Sequence, residues 1–260
     1  MRRLQPEEVA ALREWLSRQG LRGADYREEF LGRRLLPRME GAGFDSVRDY
    51  LASLRGRPAE QDALLSRFLV HTTEFFRNPE VWEALRAVLP RAGPGGLSVL
   101  SAPCSTGEEA FSAAVLLERD RLPGRVVAAD LSGTALKRLR EGRYPARALE
   151  KVDRELAARY FKLDGGWAMP VPRVRARVLP VRWDLGRGLP GKGFHVALLR
   201  NLFIYLTAAA QARLVAQAGE ALVAGGLLVL GRVERLPQRG EAWDVVDGDA
   251  RIYRWKGGAR

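Results

Sequence analysis

The stretch LSVLSAPCSTGEEAFSAAVLL, residues 97–117, constrains the fold more than any other part of the chain. Its first residues are an apolar run of strand length, its last residues place apolar side chains at helical spacing, and small residues separate the two. A strand feeding directly into a helix is the start of a β-α-β unit. The rest of the chain continues it, with strands predicted at residues 97–102, 125–130, 178–184, 194–201, 226–231 and 250–256 and helices at 107–120, 132–141 and 207–223. Alternation of this kind implies an α/β fold, a mostly parallel Rossmann-like sheet covered on both faces.

What precedes that pattern is different. Residues 1–90 read as helices, beginning with PEEVAALREWLSRQG, where proline and acids open the first turn and Gly20 stops it. This predicts a small helical N-terminal domain over 1–90, a linker RAGPGG at 91–96, and an α/β domain over 91–260. Residues 144–183 are too long for a simple connection and predict an inserted subdomain with its own helix and short strands. The formal charge is +12, and residues 140–192 hold 13 Arg or Lys against 6 acids. The excess is local, and it suits a polyanionic partner.

In an open α/β sheet the ligand crevice lies at the carboxyl ends of the strands. Ala102, Ser105, Thr106 and Gly107 let a ligand approach the backbone, and Asp130 stands at the end of the second strand, where an acid can hold a ribose. A nucleoside cofactor follows. Glu108 and Glu109 at the helix start would repel a pyrophosphate, whereas S-adenosylmethionine brings an ammonium and a sulfonium, so Glu109 can meet its methionine end. The same two acids also suit plain helix capping, and the turn alone leaves both readings open.

Composition narrows the chemistry further. With one cysteine, Cys104, and two histidines, His71 and His195, no disulfide is possible within the chain and no metal is expected. No apolar run reaches the roughly 18 residues of a spanning helix, and acids come too early for a secretion signal. A cytoplasmic protein, not membrane-embedded, is expected.

Three stretches, HTTEFFRNPEVWEAL (71–85), SAPCSTGEEAFSAAV (101–115) and LLRNLFIYLTAAAQARLV (198–215), resemble in order and spacing the CheR-type chemoreceptor glutamate methyltransferases. The resemblance implies a helical N-terminal domain, a methyltransferase sheet and a small antiparallel β insertion. It implies methyl transfer from S-adenosylmethionine, leaving S-adenosylhomocysteine, to glutamate side chains on acidic receptor helices. Position by position, it places His71, Thr73, Arg77, Glu109, Asp130, Asp184, Leu185, Asn201 and Leu202 around the cofactor. It sets Tyr205 near the methyl group, makes Arg77 and Tyr205 the candidate catalytic residues, and places the basic insertion, with Arg173, Arg175 and Arg177, against the receptor. His71, Asp184 in place of Asn, and GRVERL (231–236) in place of Gly-His-Ser-Glu depart from the family pattern. The last departure lies beyond the cofactor motifs and bears on receptor specificity.

Such a transfer asks for no general base, since a glutamate with a pKa of about 4.3 is ionised at neutral pH. That agrees with motifs that offer no His-Asp or Cys-His pair. RNA is a competing acceptor suggested by Arg173, Arg175, Arg177 and Arg182, but no nucleic-acid motif or stacking array accompanies them, so nucleic acid is not expected. A non-catalytic receptor-binding module of the same fold is the other alternative. The alternating arginines also fit the solvated face of a strand, and a monomer is expected.

Overall fold

The computed structural model describes residues 2–68, 73–90, 93–237 and 242–257. Four helices come first: α1 (Pro6–Arg18), α2 (Glu28–Gly41), α3 (Val47–Ser53) and α4 (Pro58–Phe68). Pro6 and two acids open α1, and Glu8 reaches back to accept the amide of Gln5 at 2.8 Å, so the helix start is satisfied without Ser or Asp. Apolar faces of the four helices meet in one core that contains Leu12, Leu16, Leu31, Leu35, Tyr50 and Leu64. Beside it, Glu60 accepts from Arg38 and from the Tyr50 hydroxyl, which holds its carboxyl down at about 2.

Helix α5 (Pro79–Val88) is grouped with those helices by spacing alone. In the structure its buried residues Val81, Trp82 and Leu85 instead join the core beneath the sheet. The following elements are β1 (Leu97–Ser101), α6 (Glu108–Arg119), β2 (Gly124–Asp130), α7 (Gly133–Glu141), β3 (Tyr144–Pro145), α8 (Arg154–Tyr160), β4 (Phe161–Asp164), β5 (Trp167–Pro170) and α9 (Pro172–Arg175). Then come β6 (Val178–Arg182), β7 (Phe194–Leu199), α10 (Ala208–Ala221), β8 (Leu222–Leu230), β9 (Trp243–Asp247) and β10 (Ile252–Trp255).

The main sheet runs β6-β2-β1-β7-β8-β10-β9, parallel from β6 to β8, with β10 and β9 antiparallel at one edge. One apolar layer packs on each face. Strand β9 has no counterpart in the sequence pattern, because this edge strand exposes Asp244 and Val245 and half-buries Trp243, Val246 and Asp247, which is no alternation. The chain turns from β1 outward to β2 and later returns to β7, so the switch point lies where β1 meets β7. Gly107 closes the β1–α6 turn at φ +101°, and a Cβ there would lie 2.6 Å from the Leu139 side chain on α7.

The insertion carries a second, antiparallel sheet of order β3-β5-β4. Arg173 and Arg175 do not alternate along a strand, since Pro172 starts the short helix α9 there. Arg177 turns inward, pairs with Glu118 at 2.6 Å and donates to the carbonyls of Leu122 and Gly124. Arg173 donates to the Arg159 carbonyl and Arg175 to that of Arg140. Arg173 also pairs with Glu118 on α6 at 3.6 Å, so all three tie the insertion to the main sheet's helices, and Arg177 is half-buried in that role. Among the described residues no helix is long and apolar enough to cross a membrane.

Candidate active site

Two adjoining cavities open at the carboxyl ends of β1, β2 and β7, and Pro103 lines both. The larger is a cleft of about 820 Å³ with Ala129, Asp130, Trp183, Asp184, Leu185 and Leu202 on its walls. Asp130 is buried, and its two carboxylate oxygens accept the amides of Ser105 and Ser132, each at 2.8 Å. Asp184 accepts the amide of Gly186 at 2.8 Å and so opens the single turn Leu185–Arg187 that forms one rim.

The other wall of the cleft comes from the N-terminal helical part, which sequence motifs did not connect to the site. Leu21, Arg22, Asp25, Tyr26 and Phe68 all line it. Backbone and side-chain bonds fasten this wall: Asp25 pairs with Arg213 at 2.6 Å, Arg27 donates to the carbonyls of Tyr205 and Leu206, and Arg22 donates to that of Gly186. Burial and the nearby carboxylates Asp184, Asp25 and Asp130 push the Tyr26 phenol upward, so it stays protonated.

The smaller cavity, about 400 Å³, is a polar chamber lined by Thr73, Glu74, Arg77, Ser105, Glu109, Arg200 and Asn201. Glu109 accepts from Ser101 at 2.8 Å and lies 3.4 Å from the guanidinium of Arg200. Desolvation raises its pKa despite that cation. Glu108 does different work at the helix start, accepting from the Thr106 hydroxyl at 2.7 Å and from its own backbone amide, while burial raises its pKa.

Arg200 is the residue that sequence reasoning missed. Its side chain is 1 % exposed; it donates to the Arg77 carbonyl at 2.8 Å and to Asn78 at 3.3 Å, and its guanidinium lies over the Trp82 ring. The indole of Trp82 donates to the same carbonyl at 3.2 Å. Phe76 and Asn78, on either side of Arg77, both adopt left-handed backbone, and so do Ser105 and Asn201 across the chamber. Non-glycine residues pay strain for that conformation, and its concentration here marks a shaped site. A lone arginine ending an apolar strand, LLRN, was the available signal.

Glu234 was also missed, and it corrects the view that GRVERL lies apart from the cofactor motifs. Its buried carboxylate accepts the amides of Gly231, Asn201, Phe203 and Ile204, which fixes the turn after β7. Gly231 and Glu234 coincide with the first and last residues of the Gly-His-Ser-Glu pattern. The other expected positions fall as follows. Thr73, Arg77 and Asn201 line the chamber, whereas Leu185 and Leu202 line the cleft. The Tyr205 ring packs against Phe30 of the helical part at 4.7 Å and lines neither cavity. His71 lies outside the described residues.

The cavities suit S-adenosylmethionine. An apolar slot flanked by carboxylates takes a nucleoside, and Glu109 and Arg200 together present opposite charges to an amino-acid end. Ser105 adds a buried hydroxyl, on the chamber wall, that has no hydrogen-bond partner within the protein.

Comparison with known proteins agrees. Residues 71–252 match the family described as CheR methyltransferase, SAM binding domain, and residues 7–69 match CheR methyltransferase, all-alpha domain. A chemotaxis protein methyltransferase of Listeria monocytogenes is 31% identical over 223 residues, covering 84% of this chain and 85% of that protein. One of Klebsiella aerogenes is 32% identical over 239 residues, covering 85% of this chain and 80% of its own.

Proposed function

The chain belongs to the CheR methyltransferase family, an S-adenosylmethionine-dependent enzyme family, and we propose that it methylates glutamate side chains on the cytoplasmic helices of chemoreceptors. The observation that supports this reading is the polar chamber, where Arg77 stands beside the Glu109–Arg200 pair and offers a cation to an anionic acceptor.

S-adenosylmethionine, when bound, supplies an electrophilic methyl group and departs as S-adenosylhomocysteine. Asp130 and the Asp184–Leu185 rim hold the nucleoside, and the apolar walls with Tyr26 keep water from it. Glu109 takes the ammonium, and Arg200 beside it takes the carboxylate of the same end. Arg77, fixed through its carbonyl by Arg200 and Trp82, directs its guanidinium charge to the acceptor carboxylate. No proton has to move, because the acceptor arrives ionised. Alignment is then the main contribution, worth up to about 7–11 kcal/mol in well-oriented reactions.

The test is transfer of a tritiated methyl group to a receptor cytoplasmic fragment, followed by mild alkali. A glutamyl methyl ester releases its label as methanol, and peptide mapping assigns it to glutamate. Label that survives alkali, or that enters RNA in place of protein, would overturn the proposal.

A further inference from the structure

The GRVERL segment carries more than the Glu234 carboxylate. The amide of Glu234 donates to the carbonyl of Gly231 at 2.8 Å, which makes residues 231–234 a tight turn with Arg232 and Val233 at its corner. A Cβ on Gly231 would lie 2.6 Å from the Glu234 carboxylate and 2.9 Å from the Asn201 amide, so the turn sits directly against the chamber wall. Arg232 pairs with Glu80 on the first turn of α5 at 3.3 Å, and its carbonyl accepts from Arg251. The corner is therefore held from three sides.

Val233 at this corner is 74% exposed, more than any other large apolar residue described. Turn corners favour Gly, Asn, Asp and Ser for their backbone preferences, and a β-branched residue does nothing for the turn. Scattered exposed apolar residues are ordinary. A second exposed aliphatic residue, Ile204 at 38%, lies in the turn after β7, where its amide donates to the same Glu234 carboxylate at 3.4 Å. Two exposed aliphatic residues thus belong to the two turns that Glu234 ties together, one of which presents Asn201 to the chamber, and Arg232 and Arg235 on the same segment as Val233 are exposed.

We propose that Val233 and Ile204 form an apolar lip that selects the acceptor segment, an acidic amphipathic helix with an aliphatic residue three or four positions from the methylated glutamate. The inference rests on the receptor reading above. Residues at that spacing lie on one face of a helix with Cβ atoms about 5–6 Å apart, so a glutamate in the chamber brings such a neighbour to the rim. Exposed Arg235 complements the acids of the same helix, with Arg232 beside it in its pair with Glu80, and the departure from His-Ser to Arg-Val at 232 and 233 becomes a change of substrate preference.

The experiment uses the full chain with an intact receptor fragment and two synthetic helical peptides, which carry leucine or serine three and four positions from the acceptor glutamate. Wild type should favour the leucine peptide by about tenfold in kcat/KM, the low end of what a small apolar contact discriminates. Val233→Ser and Ile204→Ser should each bring that preference below about threefold through KM, with kcat and the cofactor Kd by calorimetry unchanged. Equal use of both peptides by wild type, or variants with the wild-type preference, overturns the lip while label on the receptor fragment leaves the receptor reading standing. Loss of cofactor affinity in both variants also overturns it, since the turn would then serve the fold. Absence of alkali-labile label from fragment and peptides alike overturns both.

Discussion

The broad cleft draws its walls from the helical N-terminal part and from the sheet, and most of that surface is apolar. The polar chamber next to it is built from strand ends and the turn before α5, with Glu109, Arg200 and Arg77 facing inward. One cavity gains from contact area, which is tolerant of small displacements. The other depends on charges placed at fixed distances, and those need a scaffold that leaves no partner loose. Changes in the chamber should accordingly cost more than changes in the cleft, and they alone should respond to pH.

The largest effect is expected for Arg200→Met, which leaves Glu109 buried without its cation. Breaking such a pair costs about 3–5 kcal/mol of stability, measurable by urea unfolding. Adding Glu109→Gln to that variant should return part of the loss, and equal stability of single and double variants would show that the pair is not coupled. Next comes Arg77→Ala, for which kcat should fall about 100-fold, or about 2.7 kcal/mol, with the unfolding midpoint retained. Unchanged turnover would remove Arg77 from alignment of the acceptor.

Asp130→Ala, on the cleft wall, should weaken cofactor binding by about 1.5–3 kcal/mol in calorimetry. An affinity equal to wild type would show that the carboxylate serves only the amides of Ser105 and Ser132. For Glu109, burial raises the pKa above 4.5, and only the ionised form attracts an ammonium. Cofactor affinity should therefore fall as pH drops through that raised value, by at most about tenfold per unit. Stability follows the opposite sign, because the folded state binds this proton more tightly than the unfolded chain, so Glu109 lowers stability as pH rises through the same window. Glu109→Gln should flatten both profiles. The smallest change belongs to the cleft: Leu185→Ala should weaken the cofactor by about 1 kcal/mol, independent of pH. A pH-dependent loss there would blur the distinction between the two cavities.

Glu109, Asp130 and Asp184 could be read before any coordinates because each occupies a position defined locally, at the end of a strand or the start of the following helix. Arg200 could not, since its meaning comes from Glu109, 91 residues earlier, and from the Arg77 carbonyl, 123 residues earlier. Glu234 is similar, a carboxylate in a segment that looks like a departure until its amides are seen to come from the turn after β7. Arg173, Arg175 and Arg177 lie in between, for Arg173 and Arg175 are exposed and Arg177 is half-buried. Their spacing suggested the solvated face of a strand, whereas Arg173 and Arg175 stand on a short helix and all three also make internal bonds, to Glu118 or to backbone carbonyls.

The alternation of apolar strands with amphipathic helices by itself determined the parallel sheet, its crevice and the acids on the crevice floor, because hydrophobic periodicity and turn chemistry act over a few residues. Only the tertiary structure decided that Tyr26 and Asp25 wall the cleft, that Arg200 pairs with Glu109, and that Glu234 ties the segment of exposed Val233 to the turn after β7. Those facts depend on which distant surfaces meet when the core closes, and packing of that kind leaves no period in the chain.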